Sequence, residues 1–419
     1  MQPHCRIPPM TIQQSVALND MAVMPALPRR TLLLFALTSG LSVANIYYSQ
    51  PLIENIARDL GMSPVFAGVV VTVTQFGYAI GLLFLVPLAE LINHRRLIVG
   101  QLLLSALALV AVGIASSVTV LLLGFAMIGL LAVVIQILVA LAAAVSSPSE
   151  QGRAVGAVTS GVALGVIAAR SIAGPLAALT SWRTVFVVSA ALTSLAAYAM
   201  ANSLPRRSTL GKTRSYWTLL RSVVTLLLEE RLLHVRAGLA LLVFAAFGVL
   251  WSSLALELSA APLSLSQAAI GLFGFAGVAG VAGAASAGLL ADRGWGQWTT
   301  GIALTLMFLA WWPLSRNQLP LWTLIVGVGA LDMGGQAVHV ASQSLLFRAL
   351  PQARNRILAA YMLFYSVGTG VGALASTAAF AWSGWRGVCQ LGAAISATAL
   401  LFWAATLRES RRNRVVSPG

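Results

Sequence analysis

The sequence predicts an all-α membrane protein in which twelve transmembrane helices form two six-helix bundles related by pseudo-two-fold symmetry. The first observation is composition: 58% of the 419 residues are hydrophobic and 9% are charged, whereas a soluble domain carries about 25% charged residues. The second is that apolar runs of about 18 residues or more recur along nearly the whole chain, as in membrane-spanning helices. The third is an internal repeat of about half the chain. A large soluble enzyme is excluded because its surface helices would need more charge.

Twelve apolar spans account for most of the chain. Hydropathy places them at about 31–53, 65–88, 97–115, 118–145, 154–180, 184–202, 235–260, 268–290, 298–314, 320–347, 356–382 and 386–407. The polar stretch 204–234 divides the spans six and six. We therefore expect a disordered cytoplasmic tail (1–29), a first bundle (30–203), a cytoplasmic linker (204–234), a second bundle (235–407) and a basic cytoplasmic tail (408–419).

The formal net charge of +15 does not indicate nucleic-acid binding. Most basic residues are arginines in short gaps between spans, and no basic helix carries the interleaved aromatic side chains that stack on bases. The gaps alternate in charge: one set includes Arg95, Arg96, Arg153 and Arg293, while the opposite set holds few arginines. Because cytoplasmic loops are enriched in Lys and Arg, both termini are expected in the cytoplasm.

The two halves of the chain are related by a duplication. A constant offset of about 203 residues brings these pairs into register: Glu54 and Glu257, Ser63 and Ser266, Gly68 and Gly271, Pro148 and Pro351, Arg153 and Arg356, Gly165 and Gly368, and Trp182 and Trp385. Each match is weak alone, but their common spacing is a strong signal. Both copies have the same orientation, so an axis along the membrane normal relates them.

The loop after the second span resembles the signature G-x-L-A-D-R-x-G-R-R of the major facilitator superfamily of secondary transporters. Residues 86–96 form a degraded copy, and residues 288–293 form a closer copy in the second half. The resemblance covers about residues 30–407 and implies the major facilitator fold, with a charge relay that latches the two halves on the cytoplasmic side. The gating-loop residues that it implies are Glu90, Arg95, Arg96, Asp292 and Arg293.

Two further segments resemble the drug/proton-antiporter branch of this family. Gly161, Gly165, Gly174 and Pro175 in the fifth span match part of its antiporter motif, and residues 45–52 resemble bacterial members labelled sugar or arabinose exporters. The resemblance implies a multi-pass protein of the bacterial inner membrane.

Polar residues form one stripe of the tenth span. Asp332, Gln336, His339 and Gln343 fall within about 60° of one another on a helix, because their spacings approximate whole turns. A central Asp costs roughly 2.5–3.5 kcal/mol to insert into a bilayer, so such a stripe normally faces a polar interior.

Arg170 is a second charge inside a span, at a depth similar to that of Asp332. Its matching position in the second half is Ala373, so the repeat does not require it. A buried carboxylate is stabilised by a neighbouring arginine. We hypothesise that Arg170 and Asp332 interact across a central cavity in at least one conformation; the alternative is that each is satisfied locally.

Other residues inside the spans are candidates to line a substrate path. They are Asn45 and Tyr48 in the first span, Gln75 in the second, Gln136 in the fourth, Trp251 in the seventh and Gln336 in the tenth. The alternative roles are hydrogen bonds between helices for the polar groups, and lipid contact for Trp251.

These observations favour a proton-coupled exporter of drug- or sugar-like molecules that works by alternating access. Asp332 is expected to carry the proton, Arg170 to pair with it, and His339 to relay the proton toward the cytoplasm. The alternatives are proton-linked uptake or facilitated diffusion of a small metabolite anion bound by Arg170 and, less favoured, a non-transporting membrane sensor.

No enzymatic chemistry is predicted, because the spans contain no His-Glu-x-x-His motif, no Gly-x-Ser-x-Gly motif and no paired catalytic acids. Two cysteines, Cys5 and Cys389, cannot build a disulfide framework or a zinc site. The expected partners of this monomer are its small-molecule substrate, protons and the lipid bilayer, without cofactor, metal or nucleic acid.

Overall fold

A computed structural model describes residues 28–63, 66–146, 150–205, 215–315, 321–349 and 354–416. The helices of the first half are α1 (Arg29–Tyr47), α2 (Ser49–Asp59), α3 (Phe66–Phe84), α4 (His94–Gly113), α5 (Val118–Leu131), α6 (Val134–Ala144), α7 (Gln151–Leu179) and α8 (Trp182–Ser203). Those that follow are α9 (Tyr216–Glu229), α10 (Arg231–Ser259), α11 (Gln267–Leu272), α12 (Gly277–Asp292), α13 (Gly296–Leu314), α14 (Leu321–Ala349) and α15 (Arg354–Val416). Two short 3₁₀ helices cover Pro87–Glu90 and Phe273–Ala276.

The helices agree with the twelve predicted spans. Ten stretches of the described chain are long and apolar enough to cross a membrane. The stretch Arg356–Leu407 contains two helices that meet at Gly384, whose φ of 59° favours glycine. Helix α13, with 19 residues, packs against α14 and α15 and completes the second set of six.

Two predicted spans are broken rather than continuous. The first consists of α1 and α2, and Pro51 lies in the first turn of α2, where its missing N–H breaks no helical hydrogen bond. The fourth consists of α5 and α6.

The predicted linker contains the helix α9, which the polarity of residues 204–234 did not indicate. Residues 206–214 of the linker lie outside the described residues. So do residues 1–27 of the predicted N-terminal tail and residues 417–419 of the C-terminal one.

The pseudo-two-fold relation of the halves is visible in helix contacts. A Cβ at Gly68 of α3 would meet the backbone of Ala373 in α15, and a Cβ at Gly271 of α11 would meet the carbonyl oxygen of Arg170 in α7. These two close approaches involve residues that the duplication had matched. Both close approaches join the two bundles, so the duplication relates the contact between α3 and α15 to the contact between α7 and α11.

The bundles meet where α3 packs on α15 and α7 packs on α11. We call the end of the molecule that carries Arg95, Arg96 and Arg293 the basic end, and the opposite end the far end. Hydrogen bonds from Thr72 Oγ1 to the Gly370 oxygen (2.7 Å) and from Ser366 Oγ to Gln75 Oε1 (3.1 Å) join the bundles. Thr72 lies in the half of α3 nearer the far end, as does Gly68 with its close approach to Ala373, and Gln75 lies at the middle of α3. The bundles are therefore in contact from the middle of α3 to the far end, and the far half of the interface is closed.

Candidate functional site

Arg170 lies at the interface between the bundles and is 2% exposed. Its Nε donates to Gln50 Oε1 at 2.9 Å, an acceptor that the break between α1 and α2 brings close. Its Nη2 is buried and has no hydrogen-bond partner among the described residues. A buried guanidinium with an unused donor can still bind an acceptor group.

The aromatic ring of Trp251 covers the guanidinium of Arg170. The Arg170 Cζ lies 3.4 Å from the centre of this ring, 5.2 Å from that of Tyr47 and 5.6 Å from that of Phe247. An arginine over a tryptophan face gains about 2 kcal/mol when desolvated. The first bundle supplies Arg170 and Tyr47, and the second supplies Phe247 and Trp251.

Asp332 contacts the indole nitrogen of Trp251, the same side chain whose ring face covers Arg170. It is 2% exposed, and its Oδ1 accepts a hydrogen bond from Trp251 Nε1 at 3.0 Å. Trp251 therefore contacts both charges, Arg170 through its ring face and Asp332 through its N–H group. Within the described residues no ion pair joins Arg170 directly to Asp332. In this conformation the two charges are linked through the indole, and the direct pairing remains a hypothesis for another conformation.

A hydrogen bond between two tyrosines crosses the interface beside this site. The hydroxyl oxygens of Tyr47 in α1 and Tyr365 in α15 are 2.8 Å apart. Tyr365 also packs against Phe244, with ring centres 3.8 Å apart. The site therefore has aromatic walls from both bundles.

His339 lies seven positions after Asp332 on α14, toward the basic end. Its Nε2 is 2.9 Å from Gln343 Nε2, and its Nδ1 is 3.1 Å from the Tyr361 hydroxyl. An amide nitrogen only donates, so Nε2 accepts, and a neutral imidazole then carries its proton on Nδ1 and donates it to Tyr361.

The other amides of the predicted path occupy different places. Gln136 Nε2 donates to the Tyr78 hydroxyl at 3.1 Å, inside the first bundle. Gln75 is bonded to Ser366 across the bundle interface, where it holds the far half closed. Gln336 is partly buried and faces Gly280 of α12.

Asn45 and Tyr48 contact α8 and lie away from the interface. Ser189 Oγ donates to Asn45 Oδ1 at 2.6 Å, and Asn45 Nδ2 donates to Thr193 Oγ1 at 3.4 Å. The ring of Tyr48 packs edge-on against Phe186. In this conformation Asn45 makes the hydrogen bonds between helices that were the alternative to a place on the substrate path, and Tyr47 instead of Tyr48 contacts the other bundle.

Among the gating-loop side chains that the structure describes, no ion pair joins Glu90, Arg95, Arg96 or Arg293 to one another. Glu90 ends the 3₁₀ helix and lines a cavity of about 310 Å³ at the basic end, together with Arg356 of the other bundle. Asn93, where the family signature has glycine, caps α4 by accepting from the backbone N–H of Arg95 at 2.9 Å. Arg96 and Arg293 are exposed. The side chain of Asp292 lies outside the described part.

The residues of the predicted antiporter motif divide between two contacts. A Cβ at Gly161 would clash with Ala36, and one at Gly165 would clash with Gly40, so both glycines let α7 approach α1 within the first bundle. Gly174 approaches Gln267 of the second bundle, and Pro175 lies inside α7 beside Gly271. Arg170 therefore lies on a helix whose packing depends on small residues at both ends.

A cavity of about 270 Å³ opens next to the site. Arg170, Gln50 and Trp251 line it together with Pro51 and apolar residues of α10 and α11. Much of this space is open to solvent; the centre of a water molecule can reach only about 20 Å³ of it, which is room for one water in this conformation. Its polar lining is confined to the residues around the guanidinium.

The sequence did not single out Tyr47, Gln50, Phe247, Tyr361 or Tyr365. Tyr47 and Gln50 belong to the segment 45–52 that carried the exporter resemblance, so this segment held a usable signal. In sequence, Phe247, Tyr361 and Tyr365 of the second bundle look like ordinary core residues. Only their contacts in the structure distinguish them.

Comparison with known proteins agrees with this architecture. The sequence profile of the Major Facilitator Superfamily matches residues 32–318 and 238–419. An Escherichia coli (strain K12) protein named as a transporter, YgaY, is 43% identical over 373 residues, which cover 89% of this chain and 94% of YgaY. A Streptomyces coelicolor protein named as a transporter, SCO4007, is 34% identical over 407 residues, 91% of this chain and 88% of that protein. Among solved structures, a bacterial homologue of the human lysosomal transporter Spinster, inward-facing and occupied, matches with a TM-score of 0.73 and 17% identity, over 91% of this chain and 97% of that one.

Proposed function

Because the chain belongs to the Major Facilitator Superfamily and is a membrane transporter, not an enzyme, we propose that it exports small organic molecules, drug- or sugar-like, in exchange for protons. The two bundles rock about the site between them and expose it to each side in turn. The basic end faces the cytoplasm of a bacterial cell, in accordance with the positive-inside rule.

The observation that carries the proposal is the contact of Trp251 with both Arg170 and Asp332. Asp332 is a buried carboxylate in the second bundle, and Arg170 is a buried cation in the first. Any motion that separates the bundles at this depth changes the distance between them. The protonation of Asp332 is therefore tied to the conformation of the transporter.

The coupling follows from how a carboxylate responds to its neighbours. With the far half closed, Arg170 lies near Asp332 and favours its ionised form, so a proton is released toward the basic end. When the far half opens, Arg170 moves away with the first bundle. The isolated carboxylate in a low-dielectric site then takes up a proton from the far side.

His339 passes the released proton on toward the cytoplasm. Seven residues of helix separate it from Asp332 by about 10 Å, so at least one water or the substrate must bridge the two groups. To accept a proton on Nε2, His339 needs the Gln343 amide to turn its oxygen toward the ring, because Nε2–H becomes a donor.

The proposal is tested in everted membrane vesicles that are acidified by respiration. Ethidium, a lipophilic cation, and arabinose, a sugar, are added separately, and proton release is followed with a pH-sensitive dye. Antiport predicts substrate-induced proton release in wild type and its loss in Asp332→Asn. Glu257→Gln is the matched control, since it removes a carboxylate near the far end of the same bundle and leaves coupling intact.

Unchanged gradient-driven export in Asp332→Asn would remove Asp332 as the proton carrier. A panel in which neither probe nor other sugars and cations release protons would contradict antiport altogether.

A second candidate is proton-linked uptake of a small metabolite anion, and the unused Nη2 donor of Arg170 favours it. A carboxylate of the substrate in the adjoining cavity would complete the hydrogen bonding of the guanidinium. Two negative charges beside one arginine repel each other, so such an anion binds best when Asp332 is protonated. Proton and substrate then move in the same direction, and the anion drives proton entry instead of release.

A further inference from the structure

Helix α9, between the two bundles, has three faces of different chemistry. On a helix of about 3.6 residues per turn, Thr218, Ser222, Thr225 and Glu229 share one stripe within about 60°. A second stripe of the same width holds Trp217, Arg221, Val224 and Leu228. The third sector contains Leu219, Val223, Leu226 and Leu227. The centres of the three sectors lie about 120° apart, so the helix is built for three different environments.

The third sector packs on the protein. Leu219 and Val223 are 3% and 5% exposed. Both line the basic-end cavity together with Pro87 of the first bundle and Arg356 of the second. Tyr216 at the start of α9 donates its hydroxyl to the Phe84 oxygen of α3 at 3.1 Å. This face therefore touches both bundles.

The second stripe is apolar and yet exposed. Trp217, Val224 and Leu228 are 69%, 43% and 73% exposed, with Arg221 between them. The first stripe is also largely exposed, but it is polar. Water is a suitable solvent for the first stripe and a poor one for the second.

The surroundings of α9 indicate that the second stripe meets lipid. Helix α9 leads directly into α10, a membrane span that begins at Arg231. Exposed aromatic residues form a belt at each end of the spans: Tyr198, Trp295 and Trp298 at the basic end, and Trp312, Trp322 and Trp382 at the far end. Trp and Tyr are enriched at both membrane–water interfaces. Trp217 lies at the basic end and continues the belt there.

From this geometry we infer that α9 is an interfacial anchor whose partner is the phospholipid bilayer. Trp217, Val224 and Leu228 insert at the boundary between headgroups and acyl chains, and Arg221 extends to the lipid phosphates. The polar stripe faces water, and the third sector rests on both bundles. The bilayer thus holds the segment that bridges the two moving halves at the basic end.

The inference is tested by site-specific quenching in the full-length protein. Cys5→Ser and Cys389→Ala provide a cysteine-free background, into which Val224→Cys or Leu228→Cys is introduced and labelled with bimane. Thr218→Cys and Thr225→Cys, on the polar stripe of the same helix, are the matched controls. Each variant is reconstituted in vesicles of phosphatidylcholine and phosphatidylglycerol. Quenching is measured with a lipid that carries a nitroxide high on its acyl chain, and with iodide in water.

We expect the lipid nitroxide to quench positions 224 and 228 several-fold more strongly than positions 218 and 225, with the reverse order for iodide. Equal iodide quenching on both stripes would overturn the inference. So would protection of positions 224 and 228 from both quenchers, since that result means that protein covers the stripe. Neither result depends on proton coupling or substrate, so the anchor and the proposed antiport can fail separately.

Discussion

The guanidinium carbon of Arg170 lies 3.4 Å from the centre of the Trp251 ring, across the boundary between the two bundles. The same indole donates its N–H to Asp332. A single side chain thus contacts the buried cation of one bundle and the buried carboxylate of the other. We therefore expect a substitution at any one of these three residues to change the interactions that the other two make.

Replacing Trp251 with Phe should uncouple the proton from transport. Phenylalanine keeps an aromatic face for Arg170 but removes the donor to Asp332, and a hydrogen bond to a charged group contributes about 1.5–3 kcal/mol. We expect proton-driven transport to fall by about tenfold or more, with substrate exchange less affected. Trp311→Phe is the control, because it also removes a buried indole hydrogen bond, to Ser396 within the second bundle. Equal proton-driven rates for Trp251→Phe and wild type would contradict the role of the indole.

Removing both buried charges should destabilise the protein by less than the sum of the two single removals. Arg170→Ala leaves Asp332 without a compensating cation, and loss of one partner of a buried pair costs about 3–5 kcal/mol. The double variant Arg170→Ala/Asp332→Asn contains neither charge, so its loss should be smaller than the sum of the single losses. Melting temperatures of wild type, Arg170→Ala, Asp332→Asn and the double variant in one detergent give the losses of stability to be compared. Strictly additive losses would mean that the two charges do not interact.

The hydrogen bond between Tyr47 and Tyr365 should help to keep the far half closed. Tyr47→Phe removes it, and a neutral hydrogen bond contributes about 1 kcal/mol, which shifts a two-state population by roughly fivefold. One spin label at the start of α3 and one beside Gly384, where the two helices of α15 meet at the far end, report that shift as a longer distance. Tyr48→Phe is the neighbouring control, since Tyr48 packs within the first bundle. An identical distance distribution in both variants would argue against a gating role for Tyr47.

Two glycines of α7 should respond in opposite ways to an added methyl group. Gly165→Ala places a Cβ against the backbone of Gly40, whereas a Cβ at Gly156 meets nothing within 4 Å. Overpacking at position 165 should cost about 1–3 kcal/mol. Gly156→Ala should be neutral or stabilise the helix by up to about 1 kcal/mol. Thermal unfolding in detergent compares the two, and similar melting temperatures would show that α1 and α7 can separate freely.

The spans and their grouping into two sets of six were predictable because hydropathy and length decide which segments enter a bilayer. Gly384 marks the border between the last two helices, and the predicted spans had already placed their boundary there. The helix α9 was not predicted, because the polarity of residues 204–234 indicated a linker and gave no sign of a helix. Its three faces become visible only when residues are projected at helical spacing.

Charged residues inside spans were also recognisable in sequence, because their insertion cost makes each one exceptional. Arg170 and Asp332 were therefore identified before any contact was known, and their duplicated partners showed that the feature is asymmetric. Trp251 was a candidate on weaker grounds, with lipid contact as its alternative. Asn45 and Tyr48 were selected by the same polarity rule, and in this conformation both contact α8 within the first bundle.

The sequence by itself determined which segments span the membrane, the two-copy arrangement and the presence of two charges that the interior must accommodate. The tertiary structure decided that Trp251 lies between those charges, that Gln50 bonds to Arg170, and that Tyr47 instead of Tyr48 faces the second bundle. The reason is physical. Hydropathy and periodicity fix the depth of a residue in the bilayer, but the rotation of each helix about its axis depends on close packing against its neighbours.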